Sequence, residues 1–415
     1  MKEKLFQKKT FVVDKNTTKK ILIFCVPIIL YITLICVGFA AEGSQQFSLL
    51  ANSFDHGHTY FLQSIGGVGQ DPVLYNGKVY WDEGPFPAIT LMPFVAFFNI
   101  WHIFFYQGYI KWLMILGISY LVYKMARKLN FSATDSLIWM FGFTLGSVFM
   151  GVGSVSSGWL YAQIVGTLLA LGSLYEYMNR KRWWLIGLLS ACLLLTRIPA
   201  ASILVFYVIA IAMAKKEWRV KFKELFQVGV FVVLAVLLMG VYNLQRFGSP
   251  LDNGNQYQLL SQGSSEARSM GVFSPDHIPT NLYTLLFRAP SQELASSSSW
   301  SLKFPWVENN MLGVSIFITS PWLLYFFTKR WSKYPKEAKY LVISSLVGLL
   351  VVLCYFGDGA DQLGYRYTLD FMPTLFLALM MIYRKNTGNL STGMKILLLG
   401  SGVTNFYLLT TYVQS

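Results

Sequence analysis

The stretch FPAITLMPFVAFFNIWHIFF, residues 86–105, decides the fold: it is apolar enough to cross a bilayer, and whether it crosses sets the side of everything after it. Only Tyr106 and Gln107 separate it from the next apolar run. If it crossed, the basic cluster KMARK (124–128) would land on the face opposite the other basic clusters. Pro87 and Pro93 also weaken it as a regular span. We therefore read it as an outer-surface helix or re-entrant segment.

Composition supports a membrane setting. Of the 415 residues, 54% are hydrophobic, 16% aromatic and 13% charged, too little polar surface to wrap one water-soluble core. Repeated apolar runs have the length of bilayer spans. The N-terminal MKEKLFQKKTFVVDKNTTKK is basic, and the run behind it (21–41) lacks a clear small-residue cleavage site, so a retained first helix is expected. Cys25, Cys36, Cys192 and Cys354 fall within or beside apolar runs, which points neither to a disulfide framework nor to zinc.

The net charge of +14 is explained by position. Of 34 Lys and Arg, 26 sit in six blocks (2–20, 124–128, 180–182, 215–223, 329–339, 384–395), each at the end of an apolar run, as cytoplasmic loops require. Nucleic acid is not needed as a partner. The remaining eight basic residues alternate with the blocks and fall outside, alongside thirteen of the twenty acidic residues. This places eleven spans near 20–41, 108–126, 133–153, 160–178, 183–197, 198–214, 227–245, 310–328, 339–357, 367–384 and 394–412. The expectation is an all-α polytopic membrane protein, one transmembrane domain over 1–415 in the plasma (inner) membrane, with the N-terminus cytoplasmic and the C-terminus outside.

Two outer segments, 42–107 and 246–309, are too long to be plain connectors. In the first, Phe47, Leu50, Ala51 and Phe54 recur at helical spacing, the pattern of an interfacial amphipathic helix. The second is rich in Ser, Asn, Gly and Gln, and its SPDHIPTNLYTLLFRAP (274–290) reads as a short helix against the membrane with His277 and Arg288 among its polar features.

Candidate site residues follow from position. Glu42, at the outer water boundary, is either a helix N-terminal carboxylate or a general base. YWDEGPFPAITLMP supplies Asp82 and Glu83, either solvated turn residues or ligands for a cation or an acceptor sugar. FDHGH gives Asp55, His56 and His58, too few for a metal site, and GGVGQ (66–70) lacks the strand and helix of a phosphate loop. Arg246 ends a span, where a snorkelling anchor accounts for it. Arg197 lies at a hinge between two short spans, where a phosphate clamp is the sharper reading. DQLGYRYTLDFMP (361–373) puts Arg366 and Asp370 at the outer boundary, as an interface anchor with nearby acids or as a phosphate site.

The order of these features resembles the GT-C superfamily of polyprenyl-phosphate-sugar-dependent glycosyltransferases, which includes protein O-mannosyltransferases and aminoarabinose transferases. The matching pieces are Glu42 after the first span, YWDEGPFPAITLMPF, YLVYKMARKLNF, LLLTRIPAASIL, YNLQRFGSP and LGYRYTLDFMPTLFL. The resemblance implies an outward-facing inverting enzyme in which a carboxylate activates an acceptor hydroxyl on a glycan, lipid or protein and a polyprenyl phosphate leaves. It implies Glu42 as the acidic residue, with Asp55, Asp82 or Glu83 as substitutes. It also implies Arg366 against the donor phosphate, with Arg197, Arg246 and Arg288 as further phosphate ligands and Tyr365, Tyr367, Asp370 and His277 against the substrate. Gly43 and Ser44 stand where many relatives carry a second acid, which puts a DxD-type divalent metal site in doubt and leaves the cofactor unknown.

Rival readings differ in where charge belongs. A lipid-linked-saccharide flippase calls for ionisable residues near mid-span and paired broken helices. An O-antigen ligase or polymerase calls for arginines in a large late loop in place of an early carboxylate, and a membrane scaffold would make Glu42 and Arg366 dispensable.

Overall fold

Residues 25–36, 43–63, 65, 71–296, 300–357 and 359–414 are described by a computed structural model of the chain. Glu42 and the whole GGVGQ stretch lie outside the described residues. The protein is mostly helical. α1 covers Cys25–Cys36 and α2 Gln46–Asp55, followed by the ribbon β1 (Val73–Tyr75) and β2 (Lys78–Tyr80). Then come α3 (Phe86–Asn99), α4 (Gly108–Lys128), α5 (Ala133–Thr144), α6 (Phe149–Ser154), α7 (Gly158–Asn179), α8 (Trp183–Leu194), α9 (Ile203–Ala212) and α10 (Trp218–Phe247). The second long outer segment holds α11 (Gln262–Ser269), α12 (Ile278–Leu286) and the hairpin β3 (Ser291–Leu294) and β4 (Leu302–Glu308). β5 (Leu312–Val314), α13 (Ile316–Thr319), α14 (Lys336–Leu353), β6 (Gln362–Gly364), α15 (Met372–Asn386) and α16 (Thr392–Gln414) complete the chain. The short strands depart from the all-α expectation. β5 and β6 pair in parallel, and the other two ribbons are antiparallel hairpins.

α7 and α10 are the two described helices long and apolar enough to cross a membrane by length and composition alone, so helix length does not by itself reproduce eleven spans. The two are solvated differently. In its most apolar eighteen-residue window α7 is 72% buried, packed on α4, α8 and α15, whereas α10 is only 17% buried and leans on α8. Val233, Val236, Leu237 and Val241 of α10 stay more than half exposed.

α3, with 14 residues, is about 21 Å long, shorter than the ~30 Å hydrocarbon core. Its Ala88, Leu91 and Val95 pack with Phe47, Leu50 and Ala51 of α2 in one buried cluster with Tyr161 of α7. The apolar stripe of α2 therefore faces protein, whereas the sequence pattern alone points it at the membrane interface.

The runs 133–153 and 310–328 are not continuous helices. Breaking the first at Thr144–Phe149 frees backbone carbonyls that must find other donors. Asn405 of α16 donates through Nδ2 to Leu145 O at 2.9 Å, Ser147 O at 3.2 Å and Thr319 O at 3.0 Å. Trp322 Nε1 donates to Gly146 O at 2.7 Å. One side chain on α16 thus satisfies both breaks, since Thr319 ends α13 just before Pro321.

Candidate functional site

A cavity of about 960 Å³ is lined by residues of the segments 42–107 and 246–309 and of the helices beside them. Of the residues singled out from the sequence, it gathers Asp82, Glu83, Arg197, Arg246, His277, Arg366, Tyr367 and Asp370 in its lining.

The Asp82–Glu83 pair is set by its neighbours in sequence. A Cβ on Gly84 would sit 1.9 Å from Leu195 O, so only glycine lets this turn lie against the end of α8, where Phe86 N donates to the same carbonyl at 3.2 Å. From the other side Arg246, in the last turn of α10, donates from Nη1 to Trp81 O at 2.6 Å and from Nη2 to Asn243 Oδ1 at 2.7 Å. Its guanidinium lies over the Tyr242 ring at 3.9 Å. Arg246 thereby clamps the Trp81–Asp82 turn while lining the cavity.

Arg197 is likewise occupied. Nε and Nη2 fork onto Asp370 at 2.7 and 2.9 Å, and Nη1 reaches Glu83 Oε1 at 3.2 Å. Arg197 thus ties the Glu83 turn to Asp370 and the residues ahead of α15.

Asp82 Oδ2 accepts from Gln258 Nε2 at 3.1 Å. Asp82 Oδ1 and Glu83 Oε2 are buried with no hydrogen-bond partner among the described residues. Burial pushes the Asp82 carboxyl up to about 7, with the nearby Asp71 adding to the shift. Burial likewise lifts Glu83 to about 8, outweighing the opposing pull of Arg197 that their ion pair alone would predict. Both protons are held into the neutral range.

Arg366 differs from the other two arginines. It is buried, yet among the described residues no carboxylate lies within ion-pair distance, and its two guanidinium hydrogen bonds, to Ala360 O and to the Tyr367 hydroxyl, are both long at 3.4 Å. Its Nε has no partner among the described residues. The guanidinium sits 5.9 Å from the Trp159 ring and 5.2 Å from Tyr367. Gln362 Oε1, accepting from Arg366 N at 3.0 Å, and Gln163, donating to Arg366 O at 3.1 Å, fix its backbone.

Other expected residues lie elsewhere. Asp55 is exposed at the end of α2, and Arg288 is stationed over the Tyr283 ring at 5.8 Å; neither lines the cavity. Tyr365 is buried behind Tyr367, ring to ring at 5.6 Å. His277 lines the cavity but spends Nε2 on Gly271 O at 2.7 Å. Asp71, Trp159, Gln258 and Asn281 line it without having been singled out, and Asp71, at φ +50, ends a glycine-rich stretch that reads as a flexible turn. Among the described residues no group of three or more His, Cys, Asp or Glu is placed to hold a metal ion.

No protein-family model and no curated protein sequence matches the chain. Two solved structures align with it. The apo crystal structure of the Archaeoglobus fulgidus oligosaccharyltransferase is 12% identical with a TM-score of 0.46, over 96% of this chain and 56% of that one. The archaeal oligosaccharyltransferase AglB from Archaeoglobus fulgidus, in complex with an inhibitory peptide and a dolichol-phosphate, is 12% identical with a TM-score of 0.42, over 95% and 56%. The chain spans just over half the length of those proteins, and at these scores neither likeness bears on its chemistry.

Proposed function

We propose that the protein is a multi-pass membrane glycosyltransferase that moves a sugar from a polyprenyl-phosphate carrier to an acceptor hydroxyl at the outer face. The observation that carries this reading is one cavity lined both by a buried guanidinium, Arg366, with no carboxylate partner among the described residues, and by the buried carboxyl pair Asp82 and Glu83, whose pKa values burial raises. Lipid covers the exposed apolar face of α10. The split of basic residues inside and carboxylates outside sets the cavity outward.

The chemistry divides between the two walls. Asp82, whose carboxyl accepts from the neutral Gln258 amide, takes the proton from the acceptor O–H as that oxygen attacks the anomeric carbon, while Glu83 is held in place by Arg197. The bond from that carbon to the phosphate oxygen breaks, its electron pair leaves with the phosphate, and configuration inverts. Arg366 meets the departing charge, and a planar, permanently charged fork suits a phosphate better than lysine. Purified protein in lipid should release free polyprenyl phosphate and glycosylated acceptor, and Arg366→Leu should abolish both; transfer at the wild-type rate by Arg366→Leu refutes the proposal.

A further inference from the structure

We infer that the acceptor is itself a saccharide, bound on an aromatic platform at the end of the cavity formed by the second outer segment. This rests on the glycosyltransferase reading and adds the class of acceptor to it. Residues 272–274 run antiparallel to 354–356, with Ser274 N donating to Cys354 O at 2.9 Å and Phe356 N to Val272 O at 3.1 Å. That pairing sets the Phe273 and Tyr355 rings 5.5 Å apart, and Tyr355 meets Tyr367 at 5.8 Å. All three line the cavity, none is fully buried, and Phe273 is 56% exposed. A Cβ on Gly357 would meet the Tyr355 ring at 2.8 Å and the Tyr367 hydroxyl at 3.3 Å, so glycine there admits the arrangement.

Two buried amides line the same cavity, with orientations fixed by their partners. Asn281 Nδ2 donates to Leu353 O at 3.0 Å and Tyr355 O at 2.7 Å, and Gln258 Nε2 donates to Asp82. Both amide oxygens are thereby left as acceptors, and neither has a partner among the described residues. An unpaired buried acceptor is costly, and a ligand hydroxyl removes the cost. Sugar rings offer an apolar C–H face for aromatic rings and a rim of hydroxyl donors for amide oxygens. A lipid acceptor would call for unbroken apolar lining, which these amides interrupt. Tyr367 touches both this platform and Arg366, so acceptor and donor phosphate lie at adjoining ends of one cavity.

The test uses the full chain in lipid nanodiscs, with saturation-transfer NMR on maltotetraose, chitotetraose and a pool of serine- and threonine-containing hexapeptides. At least one tetrasaccharide should give transfer that falls about tenfold in Phe273→Ala, returns in Phe273→Trp and persists in Arg366→Leu. Binding of undecaprenyl phosphate, measured separately, should show the opposite dependence. Absence of saccharide signal, a signal that survives Phe273→Ala, or peptide binding that depends on Phe273 overturns the saccharide inference. Undecaprenyl phosphate binding that ignores Arg366→Leu counts against the glycosyltransferase reading alone, so the two fail separately.

Discussion

Arg197 grips Asp370 through a two-pronged contact, Nε to Oδ1 at 2.7 Å and Nη2 to Oδ2 at 2.9 Å, and gives its remaining prong to Glu83. Both ends of the Asp370 pair are buried. Removing one partner of such a pair costs about 3–5 kcal/mol. Arg197→Leu should therefore lower the thermal unfolding midpoint in detergent sharply, and Arg197→Lys should recover only part of it because lysine cannot fork. Wild-type stability in Arg197→Leu would show that the tie carries no load.

Arg366 should behave in the reverse way. With no ion pair to break among the described residues, Arg366→Leu leaves the unfolding midpoint near wild type, while affinity for polyprenyl phosphate drops by about a hundredfold, equivalent to ~3 kcal/mol. A titration that quenches intrinsic fluorescence with undecaprenyl phosphate reads the loss, and unchanged affinity would exclude Arg366 from the phosphate site.

Transfer should depend on pH through the carboxyl pair. A base works only when deprotonated, so kcat/KM is low below pH 7 and rises through about 7 to 8, the range to which burial lifts Asp82 and Glu83. Asp82→Asn should remove the Asp82 limb and cut the rate by about a hundredfold or more, whereas Glu42→Gln should keep it. The opposite pattern transfers the role of base to Glu42.

Stability should move against activity. Both carboxyls hold their protons more tightly folded than unfolded, so their contribution is complete below the ordinary values of 3.8 and 4.5, is lost steadily as pH rises from there to about 7 and about 8, and is level above that. Unfolding midpoints of Asp82→Asn with Glu83→Gln should flatten across that window relative to wild type. An unchanged slope would place the pH dependence elsewhere.

The exposed side of α10 tests the membrane assignment. Leu237, 61% exposed, would tolerate lysine in water, but near the middle of a lipid-facing helix a charge costs about 2.5–3.5 kcal/mol. Leu237→Lys should lower membrane-inserted yield while the same change at exposed Leu251, beyond the helix, should not. Equal yields would argue that α10 faces water.

Apolar runs and basic blocks were enough to locate α4, α7, α8, α10, α14, α15 and α16, because each is a local pattern bounded by charge. The breaks at 144–149 and 319–321 were not legible, since they stand only where Asn405 and Trp322, far away in the chain, donate to the freed carbonyls. The candidate site divides the same way. Asp82, Glu83 and Arg366 stood out as charges beside apolar sequence, whereas Asp71 was hidden by its glycines. Arg197 and Arg246 were visible as unusual cations, but that Glu83, Asp370 and the Trp81 carbonyl hold them was not.

The carboxylate that completes the Arg197 brace is 173 residues downstream. A ribosome that has just delivered Arg197 has already made Glu83 but not Asp370, Arg366 or the rings at 355 and 367. Until the segment before α15 is made, Arg197 has Glu83 beside it but lacks the Asp370 carboxylate it forks onto, and the cavity lacks the wall that carries Arg366 and Tyr367.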